Sequence, residues 1–322
     1  MNDVILSNQV IVYFLSESIL FILLFISFFI SLNILKKWDF ESFNPLQFKL
    51  EKHSYLVNTI TLFVFGLKFF LILYFIFTID SLSLLIPGAM CGAGVITANS
   101  YGSMLLTLKL LILFFLTLWL FLNFYDNKTK NHQYFKEKSW LFIATFLLIT
   151  VEFFLDFKYF FEINTELPVS CCSALFGQLE GANPLPFSLT IPLLLTLFYL
   201  LYFLTILTLK LNYKLLYILS NLLFLYIAYY SVVYFFGTYI YQLPTHKCPF
   251  CMLQIDYYYI GYIVWISLFL GTFVGLSDAI SNLWLQKTKL KQQQLVTHLL
   301  SLFVLLCTSY VVVYYLNNHL LL

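Results

Sequence analysis

Eight stretches of the chain are apolar on nearly every face, near residues 9–35, 55–79, 101–124, 139–161, 187–209, 213–239, 257–284 and 295–318. An α-helix rises 1.5 Å per residue, so each stretch clears the ~20 residues needed to cross a bilayer core. A backbone surrounded by lipid must also satisfy its own hydrogen bonds, which selects helices over open strands. The pattern predicts an all-α, polytopic membrane bundle of about eight transmembrane helices. The polar connections alternate in charge. Lys36, Lys37, Lys49 and Lys52 follow the first stretch, and Lys128, Lys130, Lys136 and Lys138 the third. Lys210 and Lys214 follow the fifth, and Lys287, Lys289 and Lys291 the seventh, whereas the remaining connections hold only Lys158 and Lys247. The positive-inside rule puts the Lys-rich loops in the cytoplasm and both termini outside. The first stretch is too long for a signal-peptide core and has no basic residue before it, so it is read as a true span.

Composition agrees. The 322 residues are 61% hydrophobic and 10% charged, with a mean hydropathy of +0.90. A soluble domain carries about a quarter charged residues, so the lipid bilayer is the expected partner. All 17 basic residues are Lys, which fits an AT-rich coding bias. The net charge of +2 and the lack of a basic stripe argue against a nucleic-acid partner.

Candidate chemistry is concentrated in three similar segments. These are Ile86-Pro87-Gly88-Ala89-Met90-Cys91, Leu167-Pro168-Val169-Ser170-Cys171-Cys172, and Leu243-Pro244-Thr245-His246-Lys247-Cys248, the last continuing through Pro249 and Phe250 to Cys251. All three fall on the outer side in the predicted topology. Aligning Pro87 with Pro244 superposes Cys91 on Cys248 and Gly94 on Cys251. The match suggests two parallel four-helix repeats, with coincidence among loop prolines as the competing explanation. The chain then divides into a first four-helix unit (1–161), an outer Cys-Cys loop (162–186) and a second four-helix unit (187–322).

Cys248-Pro-Phe-Cys251 is the most specific motif. Placed just before the seventh span, it would lie at or just ahead of a helix amino terminus, where the helix dipole and Lys247, joined by His246 when protonated, would favour thiolate. Such thiols suit disulfide exchange. The same Cys-x-x-Cys is also half of a metal site, with His246 as a further ligand. A disulfide between adjacent Cys171 and Cys172 would be strained, so each is expected to pair elsewhere or bind a soft metal. Cys91 could pair with either of them or with Cys248, while Cys307, inside the eighth span, reads as a small buried hydrophobe. Met90 and Met252 flank Cys91 and Cys251, and thioethers beside thiolates favour Cu(I). The alternative metal set is therefore Cys248, Cys251, His246, Met252, Cys91 and Met90.

Five charges fall inside the first four spans: Glu17, Lys68, Lys109, Glu152 and Asp156. Glu17, Lys109 and Glu152 lie ~12 Å below the outer boundary at 1.5 Å per residue, and Lys68 lies deeper. Such charges are expensive in lipid unless paired, so they are expected to face the bundle interior. They read either as a proton path or polar ligand site, or as structural ion pairs. No haem signature is present. His53 and His298 sit at the cytoplasmic edge, His246 and His319 lie outside, and no Cys-x-x-Cys-His occurs.

A Cys-x-x-Cys at the outer mouth of a helical bundle resembles the DsbB and vitamin K epoxide reductase family. Those enzymes have four membrane helices and pass electrons between a Cys-x-x-Cys, a loop cysteine pair and a quinone. The resemblance covers one motif and its setting. It implies Cys248 and Cys251 as the quinone-proximal pair, with Cys171, Cys172 or Cys91 as the relay and a periplasmic thioredoxin-like thiol protein as partner. The leading expectation is a thiol–disulfide redox protein of the bacterial inner membrane with its cysteine loops in the periplasm. The alternatives are a copper-handling membrane protein and a non-catalytic subunit of a larger membrane complex.

Overall fold

A computed structural model describes residues 3–38, 44–129, 133–169, 185, 188–285 and 290–322. Eight helices are long and apolar enough to span a membrane. In chain order they are α1 (Asn8–Lys37), α2 (Pro45–Leu82), α4 (Tyr101–Asp126), α5 (Phe135–Phe161), α6 (Ile191–Lys210), α7 (Lys214–Tyr241), α8 (Ile260–Trp284) and α9 (Gln293–Asn318). A five-residue helix, α3 (Gly92–Ile96), lies between α2 and α4. The protein is thus a polytopic helical membrane bundle, and no strand occurs among the described residues.

Local chemistry accounts for the helix ends. Pro45 and Pro192 stand in the first turns of α2 and α6, where a missing N–H costs nothing. Lys36 and Lys37 occupy the last turn of α1, complementing its carbonyl end. Asn212 (φ 61°) and Gln242 (φ 55°) adopt left-handed conformations that stop α6 and α7. The α2 helix starts about ten residues before its apolar stretch, so Lys49 and Lys52 are helical.

The buried positions of α1 are Val10, Tyr13, Glu17, Leu20, Leu24, Ser27, Ser31 and Ile34. That is an unbroken three–four spacing, the seam of a left-handed bundle. Polar residues lie on this seam, while Leu15, Ile19, Ile22 and Phe29 point outward. In lipid this is the stable arrangement, because burying apolar surface brings no hydrophobic gain and helices associate by packing and polar pairing. Thr78, Thr117, Thr145 and Ser231 donate to carbonyls four residues back, which keeps their hydroxyls satisfied without water.

The helices sort into two compact units, one of Met1–Leu85 with Ala98–Thr165 and one of Ile86–Thr97 with Glu166–Leu322. Each holds four spans. In the first, α1 packs along α2 and α5, and α4 along α5. In the second, α6 packs along α7, α7 along α8, and α8 along α9. Phe198 of α6, Phe224 and Phe236 of α7, and Phe303 of α9 form the aromatic centre of the second unit, with ring centroids 5.0–6.2 Å apart. Aromatic pairs of this kind contribute about 0.5–1.5 kcal/mol each. Gly271 admits Leu300 of α9, and Gly275 admits the Tyr217 hydroxyl of α7. The segment Ile86–Thr97 groups with the second unit, not with the two spans that flank it in sequence.

Candidate functional site

In the second unit the described parts of the three Pro-x-x-x-Cys segments meet. The Val169 N–H donates to the Pro87 carbonyl at 2.9 Å, and the Gln254 side chain donates to the Met90 carbonyl at 3.2 Å. Gly88 is held at φ +79°, with the Val169 carbonyl 2.6 Å from where a Cβ would stand. A side chain there would be strained and would clash with backbone, so the turn requires glycine.

This convergence places three thiols together. Cys91 Sγ and Cys248 Sγ are 3.6 Å apart. The sulfurs of Cys91, Cys248 and Cys251 all lie within 4.8 Å of one another. Their residues are 0%, 1% and 6% exposed, and no disulfide joins them. Cys171 and Cys172, the expected relay pair, lie outside the described residues.

The Cys-x-x-Cys is clasped by Tyr241. Its hydroxyl donates to the Cys248 carbonyl and accepts from the Met252 N–H at 3.1 Å, so one side chain fixes both ends of the motif. The Phe250 N–H donates to Cys248 Sγ at 3.4 Å. From α8, Trp265 donates its indole N–H to the Pro249 carbonyl at 3.1 Å. Tyr241 itself follows a π turn, Val232–Phe236, inside α7, and such turns concentrate at functional sites. Its place at a span end is the usual one for an interfacial aromatic anchor. It instead points inward and is buried.

The motif lies ahead of the seventh span, not in its first turn. Cys251–Leu253 forms a 3-10 turn, Ile255–Tyr257 a second one, and α8 starts only at Ile260. Tyr258 and Tyr259, in left-handed conformations, separate the two, so the cysteines are not part of the first turn of α8. His246 is also not a cation near neutrality. Half-burial lowers its pKa from the ordinary value of 6.5, against the opposing pull of Cys91. Its imidazole rests edge-on against Tyr241, with centroids 4.5 Å apart, and its buried Nε2 makes no hydrogen bond. A neutral imidazole with a free nitrogen is the ligand-competent form.

Of the remaining candidates, Lys247 extends its ammonium over the Tyr234 ring at 5.2 Å. The Met90 side chain is 77% exposed. Met252 is fully buried and packs on Gly261, where a Cβ would stand 2.8 Å from the Met252 carbonyl carbon and oxygen. Cys307 is buried within α9.

The first unit brings its five intramembrane charges into one cluster. Lys68 Nζ donates to Glu17 Oε1 and Oε2 at 2.9 and 2.8 Å and to Glu152 Oε2 at 2.8 Å. Lys109 Nζ donates to Glu152 Oε1 at 2.7 Å, Asp156 Oδ2 at 2.9 Å and the Tyr13 oxygen at 2.6 Å. Tyr13 donates to Asp156 Oδ2 at 2.9 Å, and its oxygen is 3.2 Å from Glu17 Oε1. The Phe75 ring packs under the Lys109 ammonium at 4.6 Å. Every member is buried, as intramembrane charge requires. Sequence reading missed Tyr13, although its place one helical turn before Glu17 was a usable signal.

No protein-family model, curated protein or solved structure matches this chain. Fold and site define its class, a polytopic helical membrane protein with a buried trio of thiols.

Proposed function

We propose that the protein binds a soft metal ion, Cu(I) foremost, through Cys91, Cys248 and Cys251. The carrying observation is the mutual approach of three buried sulfurs drawn from two loops. Two thiolates on one tetrahedral or trigonal ion, with bonds of about 2.3 Å, stand about 3.8–4.0 Å apart. The 3.6 Å between Cys91 and Cys248 is close to that value and far from a disulfide bond of about 2.05 Å. An all-thiolate set selects soft ions, and the three sulfurs group without a His246 nitrogen among them. Burial of the sulfurs favours a held ion over exchange with a macromolecular thiol. By the Lys asymmetry of the loops, the site faces the periplasm from a bacterial inner membrane.

A second reading, thiol–disulfide redox, draws on the same 3.6 Å approach. Cys248 and Cys251 would give two electrons and two protons to a quinone, forming a disulfide and a quinol. Cys91 would attack that disulfide, forming a mixed disulfide with one of the pair and releasing the other as a thiol. The two thiols of a periplasmic thioredoxin-like partner would resolve it, leaving the partner as a disulfide and Cys91, Cys248 and Cys251 reduced. This is the chemistry implied by the resemblance to the DsbB and vitamin K epoxide reductase family.

One experiment separates the readings. The full-length protein is purified anaerobically, its copper and zinc are measured, and its cysteines are alkylated with and without a chelator. The metal reading expects about one ion per chain and protection of Cys91, Cys248 and Cys251 until the ion is removed. Metal-free protein whose Cys248–Cys251 disulfide turns over with a quinone would establish the redox reading instead.

A further inference from the structure

The charge cluster of the first unit is unbalanced. Glu17, Glu152 and Asp156 set three carboxyls against the two ammonium groups of Lys68 and Lys109, leaving one negative charge if all are ionised. A net charge buried in lipid is costly, and a carboxyl escapes that cost by keeping its proton.

The hydrogen bonds identify the carboxyl. All six N–H donors of the two ammonium groups are engaged. They hold both oxygens of Glu17, both oxygens of Glu152, Oδ2 of Asp156 and the Tyr13 hydroxyl. Asp156 Oδ1 is left buried and without a hydrogen-bond partner. A bare carboxylate oxygen in that position would be the most costly atom of the cluster, whereas a hydroxyl there is neutral. Around Asp156 stand Tyr13 and Glu17 from α1, Lys109 from α4, and Glu152 and Tyr159 from its own helix, with Lys68 of α2 one ion pair away. Beside the cluster lies a cavity with room for about one water molecule, bordered by Glu17, Lys68, Lys109 and Glu152.

We propose that this cluster is an intramembrane proton-binding site, that it holds one exchangeable proton per chain, and that the proton resides on Asp156 Oδ1. Glu17 and Glu152 remain ionised as partners of the lysines. The site stands on residues of the first unit alone, so it is independent of the thiol reading.

Infrared difference spectroscopy of the full-length protein in lipid, with unlabelled and carbon-13-labelled aspartate, tests it. The expected result is a carboxylic-acid carbonyl band at neutral pH that exchanges in heavy water, shifts with the aspartate label and is lost in Asp156→Asn. Asp126→Asn and Asp278→Asn should leave it unchanged. Tyr13→Phe should move it, because Oδ2 loses the Tyr13 donor. No aspartate acid band at neutral pH, a band at full intensity in Asp156→Asn, or a band unmoved in Tyr13→Phe would overturn the proposal. So would removal of the band by sodium ions at constant pH, which would make the site one for a metal cation. If Asp156→Asn fails to fold, the wild type and Tyr13→Phe decide.

Discussion

Replacing Lys68 by methionine tests whether the cluster holds the first unit together. The change keeps the aliphatic volume and removes one ammonium group. Glu17 then loses the donors at 2.9 and 2.8 Å that serve both of its oxygens, leaving only the Tyr13 oxygen 3.2 Å away, whose hydrogen is given to Asp156 Oδ2. Glu152 loses one of its two lysines. Three charge-assisted hydrogen bonds disappear, each contributing about 1.5–3 kcal/mol. They are not additive, and removal of one partner from a buried ion pair costs about 3–5 kcal/mol as a whole. That corresponds to roughly a 150- to 4,000-fold shift in the unfolding equilibrium. The assay is denaturant unfolding of purified protein in detergent, for Lys68→Met, Glu17→Gln and the double variant. Because most of the cost lies in the stranded carboxylate, the double variant should recover at least half of the Lys68→Met deficit, as neighbours in one network do. A single variant within about 0.5 kcal/mol of wild type, the scale of an ordinary surface substitution, would refute the reasoning. So would strict additivity of the two changes.

Further outcomes follow from the thiol site. Tyr241→Phe removes the group that bonds both ends of the Cys-x-x-Cys, so Cu(I) affinity by chelator competition should fall about tenfold, the equivalent of ~1.4 kcal/mol. With His246 depressed below 6.5 by burial, the folded state binds its proton less readily than the unfolded chain. Stability from this residue is therefore fully present above about pH 6.5 and lost as pH falls below it, a trend absent from His246→Gln in unfolding curves across that range. Gly261→Ala drives a methyl into Met252 and should destabilise by about 1–3 kcal/mol. Cys307→Ser, inside α9, should leave bound metal per chain unchanged.

The fold was legible because the bilayer imposes one demand on every span. Uniform apolar length located all eight helices to within a few residues, apart from the amino-terminal extension of α2, whose polar first turns carry no membrane signal. The five intramembrane charges were visible as exceptions to that uniformity. Which atoms pair was not visible, since Asp156 Oδ1 differs from Glu17 Oε1 only through the positions of Lys68 and Lys109 in space. The approach of Cys91 to Cys248 was open in the sequence as one of several pairings of Cys91. The role of Tyr241 was hidden because a tyrosine at a span end has an adequate explanation as an interfacial anchor. The interruption between the motif and α8 left little trace in the sequence for a related reason. The motif and the next apolar run are nearly contiguous, and only the left-handed pair Tyr258 and Tyr259 separates them.

The pairing of Ile86–Thr97 with the second unit has a consequence for how the protein is made. Cys91 and Cys248 are 157 positions apart, so at about 5–20 residues per second of synthesis the first thiol emerges roughly 8–30 s before its neighbour. Through that interval it has neither Cys248 nor the Tyr241 clasp beside it. If the loop faces an oxidising compartment, a newly made chain must keep Cys91 reduced while four further spans are inserted. Slow translation or scarce reductant should then yield full-length protein whose trio of thiols was lost before it could assemble.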